Sequence, residues 1–197
     1  DAVLFIGTTG TYGAYGVGKL LTGETNPSGR LSATYSYDVT DNPAFYTYGT
    51  NVYANASEWG DLSKWTADNV EALDEHYDKY YHYYEGIYVG YRYYETAHDI
   101  KVAGFVYGEL DENGGVVTPG EVAYPFGYGL SYTDFTSEIT AFDKRGDDIT
   151  VEVTVTNDGE KAGKEVVQLY YTAPYTDLDR TMLIEKPTVN LLAFAKT

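Results

Sequence analysis

Glu85-Gly86-Ile87-Tyr88-Val89-Gly90-Tyr91-Arg92-Tyr93-Tyr94 is the stretch on which the architecture of this 197-residue chain turns. Ile87, Tyr88, Val89, Tyr91, Tyr93 and Tyr94 are β-branched or aromatic and favour an extended strand. Gly86 and Gly90 interrupt the run, which predicts a bulge or a close backbone approach. Nine tyrosines fall between Tyr77 and Tyr94. The residues before this stretch read as the end of an α/β layer, and those after it as the run into a β-sandwich. The stretch is therefore expected to bridge two architectures.

On its N-terminal side, Ala2-Val3-Leu4-Phe5-Ile6 reads as a buried strand. A glycine-rich turn from Gly7 to Gly13 leads into a helix over Ala14 to Leu21. Val17, Leu20 and Leu21 share one face of it, and Gly23 marks its C-terminal end. Gly7, Gly10, Gly13 and Gly16 are spaced by three rather than as G-x-G-x-x-G. They favour a close packing of helix on strand over a dinucleotide site. Asn26-Pro27-Ser28-Gly29-Arg30-Leu31 fits a type I turn. Leu31, Ala33, Tyr35 and Tyr37 then alternate on one face of a short strand. Residues 38–65 are loop-like. Thr66 is a reasonable N-cap for a helix over 67–82, in which Val70, Leu73, Tyr77, Tyr80, Tyr81 and Tyr84 recur at helical spacing. A chain that opens one residue before a buried strand is expected to be a segment of a longer protein.

On the C-terminal side, residues 100–107 read as a short helix or strand, and Asp111 to Gly115 and Thr118 to Gly120 as loops. Ala123 to Phe135 is too rich in Gly and Pro for a regular strand and too aromatic for a solvated loop. It is expected to be an ordered, buried connection. Ile149, Val151, Val153 and Val155 alternate with polar residues, as in a half-buried antiparallel strand. Asn157-Asp158-Gly159 is a turn signal, and Val167, Leu169 and Tyr171 alternate in a further strand. A sandwich needs about seven strands, so only part of one is expected. The fold class is thus α/β followed by all-β. Residues 1–84 are read as the end of an α/β sandwich layer, 85–134 as linker, and 135–197 as the start of the β-sandwich.

The charge of −17 argues against nucleic acid and against an anionic membrane surface as partners. No apolar run approaches the roughly 18–20 residues that span a bilayer. There is no cysteine, which excludes disulfides, thiolate metal sites and a cysteine nucleophile. It leans toward a reducing, cytoplasmic location, with a secreted bacterial protein as the alternative. The 23 tyrosines offer apolar faces with polar tips, suited to interfaces and to stacking on sugar rings.

Little in the residues themselves carries catalysis. Of the three histidines His76, His82 and His98, the first two are six apart, the wrong spacing for one helical face, and no metal site is read. No G-x-S-x-G elbow occurs. Arg145-Gly146-Asp147 reads as a polar hairpin turn, and Asn55-Ala56-Ser57 as a formal glycosylation sequon without a supporting context. Glu58, Asp61, Asp74, Glu75, Asp78, Glu85 and Glu95 lie in or near the tyrosine-rich region. Glycoside cleavage wants two carboxyl groups roughly 5–10 Å apart, and the sequence selects no pair among these. Glu85 is read as a structural ion-pair partner of Arg92 rather than a catalytic acid.

Four stretches in order resemble glycoside hydrolase family 3, in the β-glucosidase branch with a fibronectin type III-like domain. Asn26-Pro27-Ser28-Gly29-Arg30-Leu31 resembles the family's N-P-S-G-R-L turn, and Asp41-Asn42-Pro43-Ala44-Phe45 its D-N-P-x-F. Glu85 to Tyr94 matches E-G-I-Y-V-G-Y-R-Y-Y. Tyr124 to Phe135 resembles F-P-F-G-Y-G-L-S-Y-T-x-F. Val153 to Tyr171 further resembles a strand pair of the fibronectin-like domain. Two departures stand out: Thr9 to Ala14 replaces a P-G-x-E-G-G-like turn, and the segment between Leu31 and Glu85 is long. The resemblance implies part of a retaining, exo-acting β-glucosidase that removes terminal β-D-glucosyl residues. A non-catalytic carbohydrate-binding or scaffolding module is the alternative. It implies a nucleophilic Asp in a TIM-barrel portion and an acid/base Glu upstream of the turn, both outside these residues. No catalytic, metal-binding or cofactor-binding residue is therefore assigned, and no substrate-binding residue. The implied partners are a β-linked oligosaccharide or glycoside and the barrel of the same protein, with homo-oligomerisation left open.

Overall fold

The computed structural model describes residues 3–47, 51–52, 79–110 and 116–197. In chain order the elements are α1 (Gly10–Leu21), β1 (Tyr35–Ser36), two 3-10 turns (Val39–Asp41 and Pro43–Thr47), β2 (Asn51–Val52), β3 (Lys79–Tyr80) and α2 (Tyr91–Asp99). They continue with β4 (Glu109–Leu110), β5 (Val116–Thr118), β6 (Val122–Tyr124), β7 (Phe135–Arg145), β8 (Asp148–Asn157), β9 (Val166–Tyr171), α3 (Asp177–Met182) and β10 (Asn190–Lys196). The chain divides into two compact units. One joins Asp1–Ser32 to Gly127–Tyr170 and Leu191–Thr197; the other joins Ala33–Phe126 to Tyr171–Asn190.

In the first unit, α1 forms where its apolar spacing predicts, one turn longer at its N-terminus. Gly23 follows its last turn and donates to the Leu20 carbonyl. Of the strand expected over Ala2 to Ile6, Ala2 lies outside the described residues and Val3 to Ile6 do not form it. Val3 to Ile6 have no regular structure, and Val3 and Phe5 are 87% and 66% exposed. A strand buried on both faces needs paired neighbours, and none of the described strands pairs with this segment. The alternating stretch Ile149 to Val155 forms β8 as expected and pairs antiparallel with β7, Phe135 opposite Asn157 and Arg145 opposite Asp148. Arg145 to Asp148 is their hairpin turn, with Gly146 at φ +65°. Val151, Val153 and Val155 are half-buried, while Ile139, Phe142 and Ile149 stay exposed. β9 pairs with β10.

In the second unit, the quoted stretch departs from the strand that its composition predicts. Residues 84–87 form a turn, and Tyr91 onward is helical in α2. The reason lies in the glycines and the burial. Gly86 and Gly90 sit at φ +54° and +58°, values that end an extended run and that only glycine adopts freely. Beyond Gly90, Tyr94 and Ala97 lie three apart and are both buried, which a strand would place on opposite faces. Burial of Tyr94 outweighs the modest β-preference of the aromatic residues. The helix closes with a Schellman arrangement: Val102 N donates to Ala97 O (2.9 Å) and Lys101 N to His98 O (3.2 Å).

The buried hydrophobic side chains among the described residues, Tyr94, Ala97 and Val122, all belong to this second unit. β1 pairs antiparallel with β6, which places Tyr35 opposite Tyr124. The strand expected from Leu31 to Tyr37 is thus cut to two residues. β4 pairs with β5 and β2 with β3, both antiparallel. The helix expected over 67–82 lies for the most part outside the described residues; at its described end, Lys79–Tyr80 is a strand instead. Residues 100–107 take neither helix nor strand form beyond the α2 C-terminus. No helix among the described residues is long and apolar enough to cross a membrane.

Candidate functional site

In the first unit, the irregular segment Asn26 to Leu31 after α1 is clamped to two distant segments. Asn26 accepts at its side-chain oxygen from Tyr132 N (2.8 Å) and Ser131 Oγ (2.9 Å), and donates through Nδ2 to Ala162 O (3.2 Å). Arg30 donates through Nη1 to Gly129 O (2.6 Å) and through Nη2 to Glu165 Oε2 (2.5 Å). Leu31 exchanges both backbone bonds with the aromatic-glycine segment: its N–H donates to Tyr128 O, and its carbonyl accepts from Gly127 N, each at 2.8 Å. A side chain at Gly129 would collide with the Gly29 carbonyl, so the approach requires glycine there. Lys161 lies over the Tyr132 ring at 5.0 Å. The arrangement binds segments together; it brings no pair of carboxylates to a common cleft.

In the second unit, α2 carries an aromatic and carboxylate cluster. Tyr93 meets Tyr94 (5.1 Å) and Phe105 (6.2 Å) edge-on, and Phe105 meets Tyr107 (6.3 Å). Tyr91 stacks on Phe126 at 4.7 Å. The Tyr107 hydroxyl donates to Glu95 Oε1 at 2.5 Å, and the His98 ring touches Tyr107 edge-on at 5.2 Å. Burial pushes the Glu95 carboxyl above its usual range, and the Tyr107 hydrogen bond opposes that only in part. Burial also raises Glu121, with Asp41 adding like-charge repulsion. Tyr88, Tyr93 and Tyr94 are raised by burial first; neighbouring negative charge comes second at Tyr88 and Tyr93, whereas at Tyr94 the Ser36 hydroxyl opposes the rise. Near the C-terminal end of this unit, Thr176 and Asp179 form a reciprocal capping box on α3. Lys186 donates to Asp179 Oδ2 at 2.6 Å.

The expected ion pair between Glu85 and Arg92 is not formed. One Glu85 carboxylate oxygen and Arg92 Nε are both shielded from water without a hydrogen-bond partner. The Arg92 guanidinium instead stands 5.9 Å over the Tyr91 ring. The helical start at Tyr91 explains this, because it removes Arg92 from the continuous strand on which the pairing was expected. Of the carboxylates in the tyrosine-rich region, Glu85 and Glu95 are described; Glu58, Asp61, Asp74, Glu75 and Asp78 lie outside the described residues, as do His76 and the Asn55 sequon. His82 stacks on Tyr84 at 4.0 Å, and among the described residues no group of three or more His, Cys, Asp or Glu could hold a metal ion. Sequence reading missed Glu165, Tyr107 and Lys186 as partners of Arg30, Glu95 and Asp179. The first two pairs are separated by 135 and 12 residues, and no local pattern joins them.

No protein-family profile matches the chain. β-Glucosidases are among the proteins it resembles. It is 31% identical over 201 aligned residues to the β-glucosidase of Ruminococcus albus, covering 100% of this chain and 15% of that protein. It is 35% identical to β-glucosidase A of Butyrivibrio fibrisolvens, covering 100% of this chain and 20% of that protein. Two solved structures agree. The Kluyveromyces marxianus β-glucosidase in complex with glucose aligns with 92% of this chain and 15% of its own, at a TM-score of 0.61 and 30% identity. The β-glucosidase 3B of Thermotoga neapolitana in complex with α-D-glucose aligns with 92% of this chain and 18% of its own, at a TM-score of 0.61 and 33% identity. From end to end the chain therefore corresponds to one segment of β-glucosidases, and it spans a fifth or less of the length of the relatives it matches.

Proposed function

We propose that this chain is a segment of a family 3 β-glucosidase, a retaining hydrolase that removes terminal β-D-glucosyl residues from β-linked oligosaccharides and glycosides. The observation that carries this reading is the match of the whole chain, at 31% and 35% identity, to two β-glucosidases. The mixed helical and antiparallel architecture and its alignment with solved β-glucosidases support it. On this reading residues 1–84 close an α/β sandwich domain, 85–134 form the linker and 135–197 open a fibronectin type III-like domain. The β7–β8 hairpin and the β9–β10 pair are its first strands.

Hydrolysis with retention needs a carboxylate nucleophile that forms a glycosyl-enzyme and a carboxylic acid that protonates the leaving oxygen. Neither role is given to any of these 197 residues. Their part is to build and hold a frame next to the reacting groups, and the clamp at Asn26 and Arg30 supplies the rigidity for it. The longer protein carrying this chain is expected to hydrolyse aryl β-D-glucosides, and the chain alone to be inactive. Absence of turnover on every aryl β-glycoside tried with the longer protein overturns the reading. Turnover by the chain alone overturns the placement of the catalytic carboxylates.

A further inference from the structure

The loop that carries α3 is closed by its own hydrogen bonds and leaves its apolar side chains in solvent. Lys186 Nζ donates to Asp179 Oδ2 (2.6 Å) and to the Pro174 carbonyl (3.1 Å), and the Tyr175 hydroxyl donates to Ile184 O (2.7 Å). With the Thr176–Asp179 capping box, these bonds tie both ends of the loop to α3 and bury Asp179. Leu178, Met182 and Leu183 stay 65%, 63% and 84% exposed, flanked by exposed Tyr175 and Ile184. Leu183 also stands in the left-handed region, at φ +54°, where a leucine is strained. Nothing inside the loop repays that strain, because the Leu183 side chain is almost wholly exposed. Strain and exposure at one apolar residue point to a contact made outside the loop.

Charge and area narrow what makes that contact. Asp177 pairs with Arg180 (2.8 Å) and Asp179 with Lys186 (2.6 Å), so the rim of the apolar face is largely charge-compensated in a chain of net charge −17. An apolar centre with a compensated rim suits a protein surface. The face exposes roughly 500 Å², short of the roughly 800 Å² per partner that holds two free proteins together. A tethered surface needs less, because a segment of the same polypeptide docks without the full loss of translational and rotational freedom. The chain spans a fifth or less of the length of its β-glucosidase relatives, so most of the polypeptide in the function proposed above lies outside it. We propose that the face formed by Leu178, Met182 and Leu183 docks in an apolar groove of the longer protein, outside these residues, and anchors the second unit there. The identity of the occupant rests on the β-glucosidase reading; the apolar, charge-compensated character of the contact rests on the loop itself.

Oxidation of the longer protein by hydrogen peroxide tests the contact. Met182 is the one methionine of the 197 residues. Peroxide passes one oxygen to its thioether and leaves as water, at a rate set by access to the sulfur. Peptide mass mapping is expected to show Met182 oxidised at least about tenfold more slowly in the native longer protein than in urea. Leu183→Asn is expected to bring the native rate within about threefold of the unfolded one and to lower the melting temperature of the longer protein. The sign of that shift discriminates. Asparagine adopts the left-handed conformation more readily than leucine, so without docking the variant melts at or above the parent temperature. Met182 oxidised in the native protein as fast as in urea, or a melting temperature unchanged or raised by Leu183→Asn, overturns the proposal. Protection that disappears on dilution also overturns it, because the occupant is then a second copy. Hydrolysis of an aryl β-glucoside together with unprotected Met182 removes this proposal and leaves the β-glucosidase reading in place. Protected Met182 without hydrolysis does the reverse.

Discussion

Replacing Glu165 by alanine is expected to destabilise the first unit by about 3 kcal/mol. The side chains of Arg30 and Glu165 are only 15% and 16% exposed, and Nη2 meets Oε2 at 2.5 Å. An exposed ion pair contributes about 0–1 kcal/mol. A shielded charge deprived of its partner costs about 3–5 kcal/mol, because the guanidinium then stays out of water uncompensated. Arg30 keeps one acceptor, the Gly129 carbonyl, after the change. That places the loss at the lower end of the buried range. Replacing both residues by methionine removes both charges and is expected to cost about 1 kcal/mol or less. A double-mutant cycle built from Glu165→Met, Arg30→Met and the pair should therefore show single losses that do not add. Urea unfolding followed by tyrosine fluorescence measures it. With a slope of about 1–3 kcal/mol/M, Glu165→Ala should lower the midpoint by roughly 1–3 M. The loss should persist in ~1 M salt, where a solvent-screened pair would vanish. A loss below about 0.5 kcal/mol, or single losses that simply add, would refute the reasoning.

Three further outcomes follow from the second unit. The Lys186 hydrogen bond and then the two bonds from Thr176 hold the Asp179 carboxyl at about 2. A carboxyl with a lowered value stabilises the fold above its ordinary range and loses that contribution as pH falls. The amide signals of Thr176 and Asp179 should thus stay native at pH ~3.5 and shift only toward pH ~2; loss of the cap at pH ~4 would contradict this. Glu95 is raised by burial, so its contribution has the opposite sign: it is fully present below the ordinary carboxyl range and is lost as pH rises through the raised value. Glu95→Gln should flatten that slope in thermal melts, and an unchanged slope would reject the assignment. Tyr94 is fully buried and its hydroxyl has no hydrogen bond of full geometry, although Ser36 lies nearby. Tyr94→Phe should change stability by no more than about 1 kcal/mol, and Tyr94→Ala should cost about 3–5 kcal/mol; equal losses would show that the hydroxyl, not the ring, carries the contact.

Local patterns were read correctly where one face and one period decide the outcome. The alternation at Ile149 to Val155 became β8, and the apolar spacing at Val17 to Leu21 became the end of α1. Reading failed at Glu85 to Tyr94 because propensity and burial disagree there. Tyrosine and valine favour strands by a modest margin, and the spacing of Tyr94 and Ala97 overrides it. It failed at Val3 to Ile6 for a different reason. A run of apolar residues signals burial, but burial as a strand depends on partners that no local pattern supplies, and none of the described strands pairs there. The same dependence on partners holds at the candidate site. The type I turn expected at Asn26 to Leu31 is not formed, since these residues carry no hydrogen-bonded turn and are held by distant partners instead; Glu165, 135 positions from Arg30, is identified as one of them only in three dimensions.

That distance also explains why the motifs at Asn26 and Tyr124 belong together. Nothing in the sequence links Asn26-Pro27-Ser28-Gly29-Arg30-Leu31 to Gly127-Tyr128-Gly129-Leu130-Ser131-Tyr132. In the fold each is the hydrogen-bonding complement of the other. Leu31 pairs its backbone with Gly127 and Tyr128, Arg30 reaches Gly129, and Asn26 receives Ser131 and Tyr132. The segment needs Asn26 because its side-chain oxygen accepts two bonds while its amide donates a third. Aspartate has no such donor, and serine is too short to reach all three partners. Gly129 of the second motif is needed because the Gly29 carbonyl lies where a side chain would stand. Among its described residues the first unit has no buried hydrophobic side chain, so this polar clamp, rather than an apolar core, sets the position of the chain after α1. Two short motifs about a hundred residues apart therefore constrain one another through geometry, and a change in either should be tolerated only when the other changes with it.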